Sequence, residues 1–205
     1  MTSCTYFESQ DWKNRIKSII NDEWNIINAL DYCLENYSQR QVKNLLQERG
    51  HRLGEDSIWQ AISLINTAGY TVDREEVIEG WHSENNIPNT CSHPSENGRY
   101  CKYHTNSTDS IAEPPLESTE ANSGLTLIGV RGDYLTITDT TLDNHSIEHL
   151  DLRYANVDLL SIEGLTVRKD LQLDGTVGDA IILSDSEIRG DVSLSNVKAQ
   201  QVELE

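Results

Sequence analysis

The last eighty residues, Leu125 to Leu204, divide into sixteen consecutive blocks of five, and thirteen of the sixteen block centres are aliphatic. The centres run from Leu127 and Ile137 through Leu152, Val157, Ile162 and Val167 to Val202, with Gly132, Gln172 and Glu187 as the breaks. A helix repeats about every 3.6 residues and a strand every two, so neither alone keeps a five-residue beat. A solenoid does: each short side of a coil turns one aliphatic residue inward, and stacked coils bury the column.

A second spacing runs through the same stretch. Aliphatic doublets recur at Leu150/Leu152, Leu160/Ile162, Leu171/Leu173, Ile181/Leu183, Val192/Leu194 and Val202/Leu204, alternately ten and eleven residues apart. That describes a 21-residue coil with two apolar strands, and the two rulers differ by a one-residue bulge per coil. The segments Val130-Arg131-Gly132-Asp133, Val167-Arg168-Lys169-Asp170 and Ile188-Arg189-Gly190-Asp191 read as matching turns. A recurring corner also accounts for the two Arg-Gly-Asp tripeptides better than adhesion does. The final strand is expected to leave an open end that pairs with another copy, another protein or further chain.

The blocks Thr140-Thr141-Leu142-Asp143-Asn144, Ala155-Asn156-Val157-Asp158-Leu159 and Ser195-Asn196-Val197-Lys198-Ala199 resemble the pentapeptide-repeat family. The resemblance implies a right-handed, four-sided β-helix with one coil per four blocks, hence about four coils over residues 125–205. Leu135, Leu150, Leu160 and Leu165 depart from the family's small residue two places before the centre.

Residues 1–82 read as a helical domain. Ile27, Leu30 and Leu34, then Val42, Leu45 and Leu46, then Ile58, Ile62 and Ile65 each share a helix face. Ser38 with Gln41 forms a capping box, Gly50 ends that helix, and Asp56 or Ser57 caps the next. A further short helix over Asp73–Trp81 is expected to stop at Gly80. The run Ser38–Gly50, Asp56–Thr67 and Ala68–Val72 resembles a winged-helix or helix-turn-helix domain. The resemblance makes Asp56–Thr67 a recognition helix with Ser57, Gln60 and Ser63 outward. That helix carries no Lys or Arg to meet phosphates, so DNA contact is the secondary reading.

Residues 83–104 hold the most specific chemistry. Cys91, His93, Cys101 and His104 are four soft or borderline ligands within fourteen residues, with Pro94 and Gly98 supplying turns. Zinc takes four tetrahedral Cys and His ligands, and a segment this short and polar would draw its folding energy from the metal. A Cys91–Cys101 disulfide and four free surface residues are the alternatives. Residues 105–124, rich in Ser, Thr and Pro, read as a flexible linker to the β-helix.

The formal net charge of −18 spreads over both halves, which disfavours nucleic acid and suits solubility in high salt. The Cys/His cluster, linker and repeats together look like a pattern in pentapeptide-repeat proteins of salt-loving archaea. The start lacks a basic region followed by an apolar core, and no run approaches a membrane span, so a cytoplasmic protein is expected. No phosphate loop, nucleophile elbow, zinc-protease or dinucleotide motif is present, and no small-molecule substrate suggests itself. The expected function is therefore a non-enzymatic interaction scaffold. It would carry structural zinc and an acidic β-helix, rich in outward Asp, that binds a protein partner or itself; a DNA-binding regulator is the alternative.

Overall fold

A computed structural model of the chain describes residues 3–24, 26–33, 39–50, 58–88, 91–94, 101, 103–104, 111–112, 124–138 and 146–204. Two compact units emerge: Thr5–Cys91, and Met1–Cys4 together with Ser92–Glu205.

The first unit is helical. A 3-10 turn, Tyr6–Glu8, leads into α1 (Gln10–Glu23), α2 (Ile26–Cys33), α3 (Gln39–Glu48), α4 (Ile58–Thr67) and α5 (Arg74–Glu84). Ser9 starts α1 because its hydroxyl accepts the Trp12 N–H at 3.2 Å, one of the donors a helix leaves orphaned. The buried face of α1 then repeats at four: Trp12, Ile16 and Ile20. On α4 the buried set is Ile58, Ala61, Ile62 and Ile65. The expected caps of α4, Asp56 and Ser57, lie outside the described residues; within them, Asn21 on α1 accepts the Ile58 N–H at 2.9 Å. Gly50, at φ 75°, ends α3 as expected.

Gly80 does not end α5. The helix runs on to Glu84, with Gly80 among its buried residues. Asp73 caps this helix, accepting the Glu75 N–H at 2.8 Å. Among the described residues this unit contains no strand pair that would form a wing.

In the second unit β1 (Ser3–Cys4) pairs with β2 (Cys91–Pro94), and the rest is a parallel solenoid of about three turns. Its strands are β3 (Ile111–Ala112), β4 (Leu125–Thr126), β5 (Arg131–Thr138), β6 (Ser146–Ile147), β7 (Leu150–Asp151), β8 (Asn156–Glu163), β9 (Thr166–Val167), β10 (Leu171–Gln172), β11 (Val177–Ser184), β12 (Glu187–Ile188), β13 (Val192–Ser193) and β14 (Lys198–Leu204). Three sheets stack in the orders β4-β7-β10-β13, β3-β5-β8-β11-β14 and β6-β9-β12. Strand β3 falls inside the segment expected to be a linker; the rest of residues 105–123 lies outside the described residues.

Both rulers hold, at different levels. Within the second coil the inward pairs keep the five-residue beat: Leu150/Leu152, Ala155/Val157, Leu160/Ile162 and Leu165/Val167 are each at most 2% exposed. Val157 and Leu160 are three apart within one strand, so β8 turns a corner between them. Between coils the step is 21 residues, as Leu150, Leu171 and Val192 stack in register. The extra residue sits in the corner Arg168-Lys169-Asp170, on which Arg189-Gly190-Asp191 stacks, with Gly190 N–H bonding the Lys169 carbonyl at 3.0 Å. Arg131–Asp133 belongs instead to β5, so that tripeptide is strand and not a matching turn. The step from Leu125 to Leu150 spans 25 residues, and this longer coil together with the 21-residue pitch leaves about three turns where four were expected.

Another corner of each coil needs left-handed backbone. Gly129, Tyr154, Gly175 and Asn196 occupy it in successive coils, all at positive φ. A Cβ on Gly175, at φ 65°, would lie 2.4 Å from the Tyr154 ring. Gly175→Ala is expected to cost about 2 kcal/mol, from left-handed strain plus displacement of that ring. The thermal midpoint of the solenoid should fall by about 4–8 °C; an unchanged midpoint would refute the stacked-corner geometry.

The outward Asp column is partly structural. Asp151 is buried and forms a two-pronged pair with Arg153 (Nε–Oδ1 3.0 Å, Nη2–Oδ2 2.8 Å), so it does not contribute to an outer acidic face. Asp174 ties neighbouring coils, accepting from Ser193 Oγ at 2.6 Å and Ser195 N at 2.7 Å. Asp158, Asp179 and Asp185 are exposed, and Asp143 lies outside the described residues.

Candidate metal centre

Pairing of β1 with β2 carries Cys4 to the segment in which the sequence concentrates ligands. One ligand atom from each of Cys4, Cys91, Cys101 and His104 lies within 4.8 Å of the other three, and all four residues are buried. His104 Nδ1 is 3.2 Å from Cys101 Sγ and 3.5 Å from Cys4 Sγ. A tetrahedral ion held about 2.3 Å from sulfur and about 2.0 Å from nitrogen sets its ligand atoms roughly 3.5 Å apart. The cluster therefore has the dimensions of one ion.

Local structure produces this geometry. A turn closed by His104 N–H to the Cys101 carbonyl, at 3.0 Å, places a thiol and an imidazole on the same side of the chain. The Cys101 N–H points at Cys4 Sγ from 3.3 Å. On the far side of the ring, His104 Nε2 is 3.0 Å from the Ile128 carbonyl. A carbonyl only accepts, so Nε2 carries a hydrogen, and Nδ1 is the ring nitrogen that faces the sulfurs and would ligate an ion. Tyr103 joins the same docking, its carbonyl accepting the Arg131 N–H at 2.9 Å. The turn is thus tied to the first coil of the solenoid at two points.

Electrostatics fit a cation. Burial pushes the His104 imidazole down, but hydrogen bonds with Cys101 and Cys4, the charge of Cys101 and the Ile128 carbonyl outweigh it and hold the group at about 9. Three thiols and one imidazole would supply the four ligands that a tetrahedral zinc ion takes.

Three of the four ligands expected from the sequence, Cys91, Cys101 and His104, meet here. The fourth, His93, lies on β2, but its side chain is outside the described residues. Cys4 was missed because it precedes Cys101 by 97 residues and no local spacing ties it to the cluster. All four cysteines of the chain are thiols, so the Cys91–Cys101 disulfide is not formed.

Cys33 stands apart from the centre. Burial, then the carboxylates of Glu76 and Asp73, push its thiol up to about 11. At pH 8 its alkylation should be about a hundredfold slower than that of a thiol with the ordinary value near 9. Peptide mapping after timed iodoacetamide exposure reads this directly, and a rate equal to that of a denatured control would contradict the half-buried, acid-flanked placement.

The helical unit has a cleft of about 570 Å³, lined in part by Glu8, Lys13, Glu75, Glu79 and His82. Lys13 pairs with Glu75, and His82 Nε2 accepts the Trp12 indole N–H at 2.9 Å. No helix among the described residues is long and apolar enough to cross a membrane. No protein-family model matches the chain, and no curated protein or solved structure matches it.

Proposed function

We propose that this chain is a non-enzymatic interaction scaffold in which zinc, held by Cys4, Cys91, Cys101 and His104, fastens a rigid acidic solenoid that receives a protein partner. The buried three-thiol, one-imidazole cluster docked on the first coil supports this reading. Thiolate and imidazole ligands in a closed tetrahedron favour zinc and a structural role. Reduced thiols suit a reducing compartment such as the cytoplasm, and the charge of −18 suits a salt-rich one. The histidine in the helical cleft is engaged by an indole, which favours packing over acid–base work there.

Hydrogen exchange of the metal-loaded chain before and after chelation tests the scaffold. Amides around Leu127–Arg131, next to the docked turn, should lose protection on chelation while Leu171–Leu183 keep theirs. Exchange indifferent to chelation would remove the metal from any structural role.

A DNA-binding regulator is the second reading, and one observation favours it. Arg74 reaches α4 and donates to Ser63 Oγ at 2.8 Å, bringing a cation to the helix face that would meet a groove. Against it, the Ser63 and Thr67 hydroxyls donate back to Trp59 and Ser63 carbonyls of their own helix. Duplex affinity that falls steeply with salt, and weakens in Arg74→Ala, would shift the balance to DNA.

A further inference from the structure

We infer that the cleft of the helical unit is a docking site for an arginine-bearing segment of a partner polypeptide. The site is separate from the solenoid and its metal centre, since every residue lining it lies between Phe7 and Ile87. One face of α5 builds the wall. Glu75, Ile78, Glu79 and His82 recur at spacings of three and four, so all four lie on the same side of the helix. Past the helix, Asn86 takes left-handed backbone at φ 52°, and the Ile87 N–H bonds the His82 carbonyl at 2.8 Å. That turn brings Ile87 back to line the cleft.

Floor and rim differ in character. Phe7, Ile78 and Ile87 are at most 6% exposed, whereas Glu8 and Glu79 are exposed. Lys13, the cation in the lining, is paired with Glu75. Glu8 and Glu79 have no ion pair among the described residues, so the rim keeps two negative charges above an apolar floor. An acidic surface alone is only solvated; here the carboxylates border a concave volume of about 570 Å³, within the range that encloses a ligand. A cation on an aliphatic stem matches both parts, its methylenes lying along the floor while its head meets the carboxylates. Arginine suits the rim better than lysine, because its weakly hydrated planar head forks onto carboxylate oxygens. A volume of this size takes a drug-sized body and not a lone side chain. Residues beside the arginine therefore enter too, which selects a polypeptide segment over a free amine.

Titrating the isotope-labelled, metal-loaded 205-residue chain with acetyl-Leu-Arg-Leu-amide, followed by nuclear magnetic resonance, tests this. Trp12 supplies a local signal, because its indole N–H bonds the cleft histidine at 2.9 Å. Trp59, whose indole bonds the Lys17 carbonyl at 2.8 Å, supplies the reference. The Trp12 indole resonance should shift to saturation with a dissociation constant of about 0.1–1 mM, while that of Trp59 stays in place. Replacing the arginine by citrulline, which keeps the shape and drops the charge, should weaken binding about tenfold. Glu79→Gln and Glu8→Gln should each do the same, with unchanged circular dichroism. Asp158→Asn/Asp179→Asn removes two exposed carboxylates from the solenoid and should change the affinity less than about twofold. An unmoved Trp12 signal up to about 5 mM peptide, equal binding of the citrulline peptide, or equal weakening by the solenoid pair overturns the inference. Agmatine, a guanidinium on a stem without a peptide backbone, should bind about tenfold more weakly than the peptide. Parity would make the occupant a small amine and overturn the partner segment.

Discussion

Cys101→Ser should lose the bound metal and lower the melting transition of the β unit by about 8–16 °C. Cys101 has two roles at the centre: its thiol faces His104 Nδ1, and its N–H faces Cys4 Sγ. A ligand present at about a thousand times its dissociation constant stabilises the folded state by about 4 kcal/mol. In a chain of this size each kcal/mol moves the midpoint by about 2–4 °C. Losing the ion also leaves two thiols and an imidazole buried with no cation among them, which adds to the cost. Scanning calorimetry of wild type, variant and chelated wild type would separate these contributions. The variant and the chelated protein should melt close together, well below the loaded wild type. Coincident melting of all three would mean that the cluster binds no ion of structural consequence.

Leu160→Ala, at the middle of the solenoid, should cost about 2–5 kcal/mol, or about 4–20 °C. Leu160 is fully buried, with Leu135 in register on one side and Ile181 on the other. Truncating it opens a void between coils that parallel ladders on both sides hold apart, so little collapse can fill it. Tyr134→Ala supplies the contrast, since Tyr134 is half exposed on β5 and its loss should stay within about 0.5 kcal/mol. Chemical denaturation of both variants reads the difference. Equal, small effects would mean that the aliphatic column is not a packed core.

The solenoid was legible because its core is one-dimensional: a residue's inward place depends on distance along the chain more than on remote partners. Even so, counting fives straight through misplaces residues beyond Val167. The corner Arg168-Lys169-Asp170 inserts one residue, after which the counted centres Gln172, Val177, Ile182 and Glu187 fall between inward positions. Leu171, Leu173, Ile181 and Leu183 are the buried ones. The apparent breaks at Gln172 and Glu187 are thus slips of the ruler and not defects in the column. What stayed hidden depends on tertiary placement. Gly80 reads as a helix stop by local chemistry, yet α5 packs through it. Asp151 reads as one more surface acid, yet Arg153 two residues on turns back to pair with it. Cys4 became a candidate ligand only once β1 lay beside β2, a pairing with no local signal at the start of the chain.

Zinc per chain, measured by elemental analysis on wild type, Cys4→Ser and His93→Gln, addresses the central claim most directly. A centre built from Cys4, Cys91, Cys101 and His104 predicts about one zinc in wild type, about one in His93→Gln, and little or none in Cys4→Ser. Full zinc in Cys4→Ser with none in His93→Gln would move the site to the local Cys-x-His cluster and detach β1 from it. No zinc in wild type would contradict the metal-fastened scaffold altogether.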